Sequence, residues 1–413
     1  MRSRDSLDRV GTFRRRVLLG AWLLGGLVLL GRSARVQILE GSEWSRRAAE
    51  QHRASTPIAA ARGAIYDRNG VPLAVSRERW IVSVAPRELT DVAAARSALV
   101  EVLGISRVAA ERVTDRSDPW HQVPGRYPAE AREALDGITG IYLERRLDRF
   151  YPHGELAGSL LGHVIDGEGR GGIEGAFDEI LRGVPGRQVV GRGGKGQIPG
   201  EVFEVERPVP GGEIRLTIDL DLQEIAEEAL ARALEESGSE GGDLILADPR
   251  TGEILAMTSV RDGSSGALST INTSYEPGST LKPFTVAALL KTGAGSLEDS
   301  VETGVGYWRV AGRDLHDVGG HGTITLARAL QVSSNIGVAK AAQALTPEQQ
   351  YANLRDFGFG VLTGVGLAGE VGGSLPHPER WTGQSPASLA IGYEVSVTPL
   401  QMTMAYGALA NGG

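Results

Sequence analysis

A serine precedes a lysine by three residues in Tyr275-Glu276-Pro277-Gly278-Ser279-Thr280-Leu281-Lys282-Pro283-Phe284. A serine hydroxyl is a poor nucleophile at neutral pH and needs a neighbouring base to take its proton. Pro277-Gly278 reverses the chain, and the apolar run Phe284 to Leu290 behind it reads as helix. Ser279 is therefore expected at or near a helix amino terminus. Positions three apart share a helix face, which puts Lys282 under Ser279. Lysine serves as a base only when neutral, and burial beside polar or cationic groups lowers its pKa. The helix start also favours negative charge developing on an attacked carbonyl oxygen. The chemistry this arrangement serves is acyl transfer through a serine ester. Taken alone, Ser-x-x-Lys also fits an N-capping serine followed by an exposed lysine.

The rest of the chain must supply the scaffold. Its 413 residues suggest two or three domains, and 41% apolar content is ample for packed cores. A net charge of −8, with no strongly basic folded region, argues against nucleic acid as a partner. Cysteine is absent, which excludes disulfides, thiolate metal sites and cysteine nucleophiles without fixing the compartment. With 57 glycines, many turns and close backbone approaches are expected.

Val17 to Gly31 is an uncharged run of 15 residues. As a helix it spans about 22 Å, short of the roughly 30 Å hydrocarbon core. Arg32 and Arg35 can snorkel, extending the span toward Ile38. Arg2, Arg4, Arg9, Arg14, Arg15 and Arg16 precede it, which places the amino terminus in the cytoplasm and the bulk of the chain outside. The expectation is a cytoplasmic tail (1–16) and a transmembrane anchor (17–38). The alternative is a cleaved signal peptide, although no small-x-small cleavage site follows Gly31.

A helix is expected around Gly41 to Arg53. Asn69-Gly70 between short apolar stretches is a hairpin signal. Asp91 to Leu103 and Ala129 to Leu135 read as helices among polar loops. Arg149 to Gly186 is dense in glycine and proline. Within this region and just beyond it, Gly167, Gly169 and Gly172 match GxGxxG, and Gly191 to Gly196 suggests a phosphate loop. Neither follows the strand such a loop requires, so both read as glycine-rich surface hairpins. A boundary is expected near Pro208 to Gly212. Beyond it a strand (Ile214 to Ile218), a helix (Asp219 to Leu234) and two apolar strands (Asp243 to Ala247, Ile254 to Thr258) lead up to the Ser279 helix. His316 and His321 share a glycine-rich stretch with Asp314 and Asp317, which reads as a solvated loop rather than a metal site. No cofactor is implied.

With these neighbours the Ser279 stretch resembles the penicillin-binding proteins, the serine D,D-transpeptidases that cross-link peptidoglycan, and among them the monofunctional class B type. There a proline-glycine turn leads into the Ser-x-x-Lys helix, as Pro277 to Lys282 does here. The family's second motif, Ser-x-Asn on a loop between helices, is matched by Ser333-Ser334-Asn335, between the helix-like Leu326 to Gln331 and Ile336 to Lys340. The resemblance implies catalytic roles for Ser279, Lys282, Ser333 and Asn335. Ser333 would relay the proton between Lys282, Ser279 and the leaving amine, and Asn335 would hold the substrate's peptide backbone. Arg62-Gly63, Asp67 to Gly70 and Leu73-Ala74 look like the first box of the class B non-catalytic domain. Tyr151-Pro152, Gly172 to Gly175 and Leu181 to Gly186 look like its later boxes.

The implied fold is α+β and multidomain: an N-terminal transmembrane helix, an elongated class B pedestal of the dimerisation type (39–210), and an incomplete serine β-lactamase-like transpeptidase domain (211–413). The family's third motif, Lys-Thr/Ser-Gly on a central strand, is the departure. Lys291-Thr292-Gly293 has the letters but stands nine residues past Lys282, where Gly293 reads as a helix C-cap. The expectation is a truncated frame, inactive as given, with an unprotected sheet edge.

The substrates implied are D-Ala-D-Ala stem peptides, with β-lactams as acylating inhibitors. The partners implied are a SEDS-type glycosyltransferase and divisome membrane proteins at the inner (cytoplasmic) membrane, with the catalytic domain periplasmic. Glu276 before Pro277-Gly278, and Ile391-Gly392-Tyr393 before Ser396 to Pro399, favour the septal, cell-division type. Two other readings stay open: a D,D-carboxypeptidase or β-lactamase passing the acyl group to water, and a non-catalytic penicillin-binding scaffold or sensor.

Overall fold

The computed structural model describes residues 4–35, 37, 53–193, 196–261 and 268–413. They form two compact units, one of residues 1–60 and 184–209, the other of 61–183 and 210–413.

The first unit opens with a helix over Arg4–Ala34, so the arginine-rich stretch expected as a tail continues into the apolar run as one element. Its large apolar side chains are open to solvent, Trp22 by 82% and Leu30 by 72%. Among the described residues no helix is long and apolar enough to cross a membrane. The unit also holds a three-stranded antiparallel sheet in the order Arg53–Ile58, Gly186–Gly193, Gly196–Glu206. Arg53 thus opens a strand; the remainder of the helix expected from Gly41 lies outside the described residues. The glycine-rich stretch is a hairpin, with 194 and 195 outside the described residues.

The second unit is built on a long antiparallel ribbon, Pro72–Val84 against Ile141–Phe150. One face of the ribbon packs Val82 and Val84 against Leu99, Val113 and Leu135 of the helices Val92–Leu103, Arg107–Val113 and Ala129–Leu135. At the ribbon's start, Ile65–Tyr66 turns back through Asn69-Gly70 onto the same strand. The Asp67 carboxylate organises that turn, accepting from Asn69 N at 2.8 Å and Val71 N at 2.7 Å. Its other oxygen accepts from Leu220 N at 3.3 Å. Ile65–Tyr66 also pairs in parallel with Ile214–Arg215. The strand expected to reach Ile218 is this short because its partner is only two residues long.

Where these segments cross, side chains are excluded. A Cβ on Gly63 would stand 1.8 Å from the Gly212 carbonyl oxygen, so only glycine permits the crossing. Beside it lies a buried ionic cluster. Glu174, fully buried, receives Arg62 Nε and Arg149 Nε at 2.6 Å each, and Arg62 reaches Asp178 at 2.6 Å. Removing one member strands a buried charge, which costs about 3–5 kcal/mol. Glu174→Ala is therefore expected to lower unfolding free energy by about that amount, measured by urea titration.

The helix Leu220–Ser237 packs on the antiparallel pair Gly241–Ala247 and Ile254–Arg261. Gln223 clasps the sheet by donating to Met257 O at 3.0 Å and accepting from Met257 N at 2.9 Å. The helix Lys282–Thr292 lies in a core of Leu281, Phe284, Leu354, Phe359, Leu389 and Val397. The rings of Phe357, Phe359 and Tyr406 meet Phe284 edge-on at 4.8, 5.2 and 5.1 Å. This packing fixes the helix that carries the candidate site.

Candidate active site

Gly278–Leu281 forms a single 3₁₀ turn that runs directly into the helix Lys282–Thr292, with Pro283 in its first turn. Pro283 suits that place because its missing N–H would have no partner in the first turn. The turn is held from outside. Gly278 N donates to Gly392 O at 3.0 Å, and Tyr275 pairs with Val397 through bonds of 3.0 and 2.9 Å. Gly392 has φ +85°, and a Cβ there would stand 2.0 Å from the Gly278 carbonyl oxygen. Tyr406 OH donates to Thr280 O at 2.8 Å. Glu276 accepts from Glu394 N at 2.9 Å. Ser279 is left exposed on this fixed turn, its hydroxyl making no hydrogen bond among the described residues.

Lys282 is 1% exposed. Its ammonium donates to Ser333 O at 2.5 Å and Ser333 Oγ at 3.0 Å. Burial pushes its pKa down from 10.5 to about 8, while the Asp317 carboxylate pulls it upward. Ser333 sits at φ +56°, a left-handed conformation that costs a non-glycine residue on the order of 1–3 kcal/mol and needs outside support.

That support comes from the segment Arg313–Asp317. Asp317 accepts from Ser334 Oγ at 2.5 Å and from Ile336 N at 3.1 Å. Ser334 caps the helix Asn335–Ala341, accepting from Gly337 N at 2.8 Å. Asn335 Nδ2 donates to His316 O at 2.8 Å, which fixes the amide and leaves Oδ1 as the acceptor.

The structure thus joins Lys282 to Ser333 directly and sets Asn335 in the same turn. Ser279 stands one turn ahead of Lys282, and no bond joins its hydroxyl to Lys282 or Ser333. Asp317 corrects the expectation of a solvated loop: it is half-buried and clamps the Ser-Ser-Asn turn. The short hairpin Tyr307–Val310 with Arg313–His316 is what delivers it there. Lys291-Thr292-Gly293 closes the helix, with Gly293 at φ +68° as its cap and Lys291 paired to Asp356 at 2.7 Å.

Residues 242–413 match the penicillin binding protein transpeptidase domain, and residues 57–216 the penicillin-binding protein dimerisation domain. "Probable peptidoglycan D,D-transpeptidase PbpC" of Pseudomonas aeruginosa is 32% identical over 410 residues, covering 95% of this chain and 72% of that protein. The chain belongs to the class B penicillin-binding proteins. Another relative of this class B penicillin-binding protein, the peptidoglycan D,D-transpeptidase FtsI of Escherichia coli K12, is 30% identical over 97% of this chain and 71% of its own length. Among solved structures, penicillin binding protein 3 of Mycobacterium tuberculosis in complex with aztreonam superposes with a TM-score of 0.63 at 28% identity, covering 87% of this chain and 66% of that one. The two-domain α+β architecture is that of the family.

Proposed function

We propose that this class B penicillin-binding protein is a peptidoglycan D,D-transpeptidase working through an acyl-enzyme at Ser279. The observation that carries the reading is Lys282: a buried amine with a pKa near 8, bonded to Ser333 one turn below an exposed serine. Neutral Lys282 takes the proton as Ser279 Oγ attacks the penultimate D-alanine carbonyl of a donor stem. Ser333 relays that proton to the leaving amine, and D-alanine departs. Asn335 Oδ1 accepts from a substrate backbone N–H. An amine of a neighbouring stem then attacks the ester, Ser279 recovers its proton, and the cross-link is made. A β-lactam acylates the same serine; the aztreonam complex of the mycobacterial relative supports that ligand class.

The domain division that accompanies this reading is a tail (1–16), an anchor (17–38), a pedestal (39–210) and a transpeptidase domain from 211. The exposed apolar stretch of the first helix, behind a cluster of arginines, supports anchoring in the inner membrane with the catalytic part periplasmic. Glu276 and the Ile391-Gly392-Tyr393 stretch support a septal role, with a SEDS-type glycosyltransferase and divisome membrane proteins as partners.

Product analysis tests the activity. The full-length protein is incubated with pentapeptide-bearing strands, with and without an amine acceptor. Acceptor-dependent cross-linked product is expected. Release of D-alanine to water alone, at a rate indifferent to acceptor, would replace transpeptidation with hydrolysis.

A further inference from the structure

The solvent side of the long ribbon carries an arrangement the fold does not need. Residues 77, 79, 81 and 83 of one strand stand opposite 148, 146, 144 and 142 of the other, on the face away from buried Val82 and Val84. Arg79 therefore lies directly across from Arg146. Like charges opposite one another destabilise a ribbon, and nothing local relieves this pair fully. Arg79 has no carboxylate, hydrogen-bond or ring partner among the described residues. Among the described residues Arg146 pairs only with Glu144, at 2.7 Å and more than half exposed, a contact worth little in water. Arg126 occupies Asp148, and the Arg77 guanidinium lies 3.3 Å over the Phe150 ring. Four guanidiniums thus share this side with the carboxylates of Glu144 and Asp148, and a third carboxylate, Glu88, accepts from Tyr142 OH at its far end.

At the far end the same face changes character. Tyr142 meets the half-exposed Trp120 at 5.0 Å, forming an open aromatic shelf. From Arg77 to Ser83 the face runs for about 20 Å, at roughly 3.3 Å per residue. An extended ligand that presents flat, weakly polar ring faces at one point and carboxylates at others matches both ends.

We propose that this face of the ribbon is a binding surface for an uncross-linked peptidoglycan strand, with sugar rings on Trp120 and Tyr142 and stem-peptide carboxylates on Arg79, Arg146 and Arg77. It rests on the reading of peptidoglycan as the substrate and adds a holding site remote in sequence from Ser279. Arg79 and Arg146 persist as unfavourable neighbours because the ligand's carboxylates resolve their repulsion.

Arg79→Glu tests this, because it would place opposite charges across the ribbon. The variant of the full chain in detergent is expected to melt no lower than wild type. It is also expected to bind fluorescent, stem-bearing glycan strands about tenfold more weakly by anisotropy at low salt. Arg79→Lys is expected to keep most of the affinity, and Trp120→Ala to lose part of it. Strands stripped of stem peptides by an amidase are expected to bind wild type about as weakly as the charge-reversed variant binds intact ones. Equal binding of intact strands by wild type and Arg79→Glu overturns the proposal. So does a loss confined to anionic phospholipid vesicles, which would mark the face as a membrane contact. Wild type that is acylated by penicillin yet fails to bind strands overturns this inference and leaves the proposed activity standing.

Discussion

In the full-length protein, acylation by a fluorescent penicillin is expected to vanish in Ser279→Ala and to fall by about 10²–10⁴-fold in Lys282→Met, the range typical of a lost general base. Methionine keeps much of the lysine's length and apolar volume, so the buried site stays filled while the amine is removed. The pH dependence gives a second readout. Lys282 accepts a proton only when neutral, and its pKa lies near 8. The wild-type acylation rate is therefore expected to rise with pH through about 8 and then level off. The residual rate of Lys282→Met is expected to lack that limb. A wild-type profile flat between pH 6 and 9, which brackets the value of about 8, would remove Lys282 from the role of base.

Replacing Asp317 is expected to act on the same profile from a distance. Its carboxylate accepts two bonds from the Ser334–Ile336 turn and draws the Lys282 pKa upward. In Asp317→Asn the negative charge is gone, so the Lys282 pKa is expected to fall further and the rising limb to move to lower pH. An asparagine has one acceptor oxygen where the carboxylate had two, so Ser334 or Ile336 also loses a partner. An unmatched donor of this kind costs about 1–3 kcal/mol. The left-handed Ser333 then relaxes, and kcat/KM for acylation is expected to drop at least about tenfold. Asp317→Glu is expected to keep the wild-type limb while lowering the rate. A merely structural role would lower the rate of Asp317→Asn without moving its midpoint.

Much of this was legible in the chain because it is local. Leu326 to Gln331 and Ala129 to Leu135 are helices over the residues their patterns mark, and the two apolar strands before Ser279 pair as read. Pro277-Gly278 announces the turn, and the apolar run behind it announces the helix. The long-range pieces had no local signal. Asp317 meets the Ser334 turn from a hairpin 17 residues upstream, and a lone aspartate beside glycines and histidines looks like a loop. Arg62 finds Glu174 across 112 residues, a pairing that burial dictates and spacing does not. Arg53, in a stretch with helix-like composition, joins a sheet because Gly191 lies across from it. The link between Lys282 and Ser333 spans 51 residues and came from family resemblance alone.

The bond from Leu220 N to Asp67 spans 153 residues, and it sits beside the parallel pairing of Ile65–Tyr66 with Ile214–Arg215. A chain made from its amino terminus exposes the short strand at Ile65 long before that partner is synthesised. At about 5–20 residues per second the wait is on the order of ten seconds or more. Throughout it, the strand's outer edge is open to any other extended chain. The early part of this protein therefore closes its own sheet only once residues 214–220 have been made, just before the segment that matches the transpeptidase domain begins, so a ribosome that stalls in between releases a strand with an open edge.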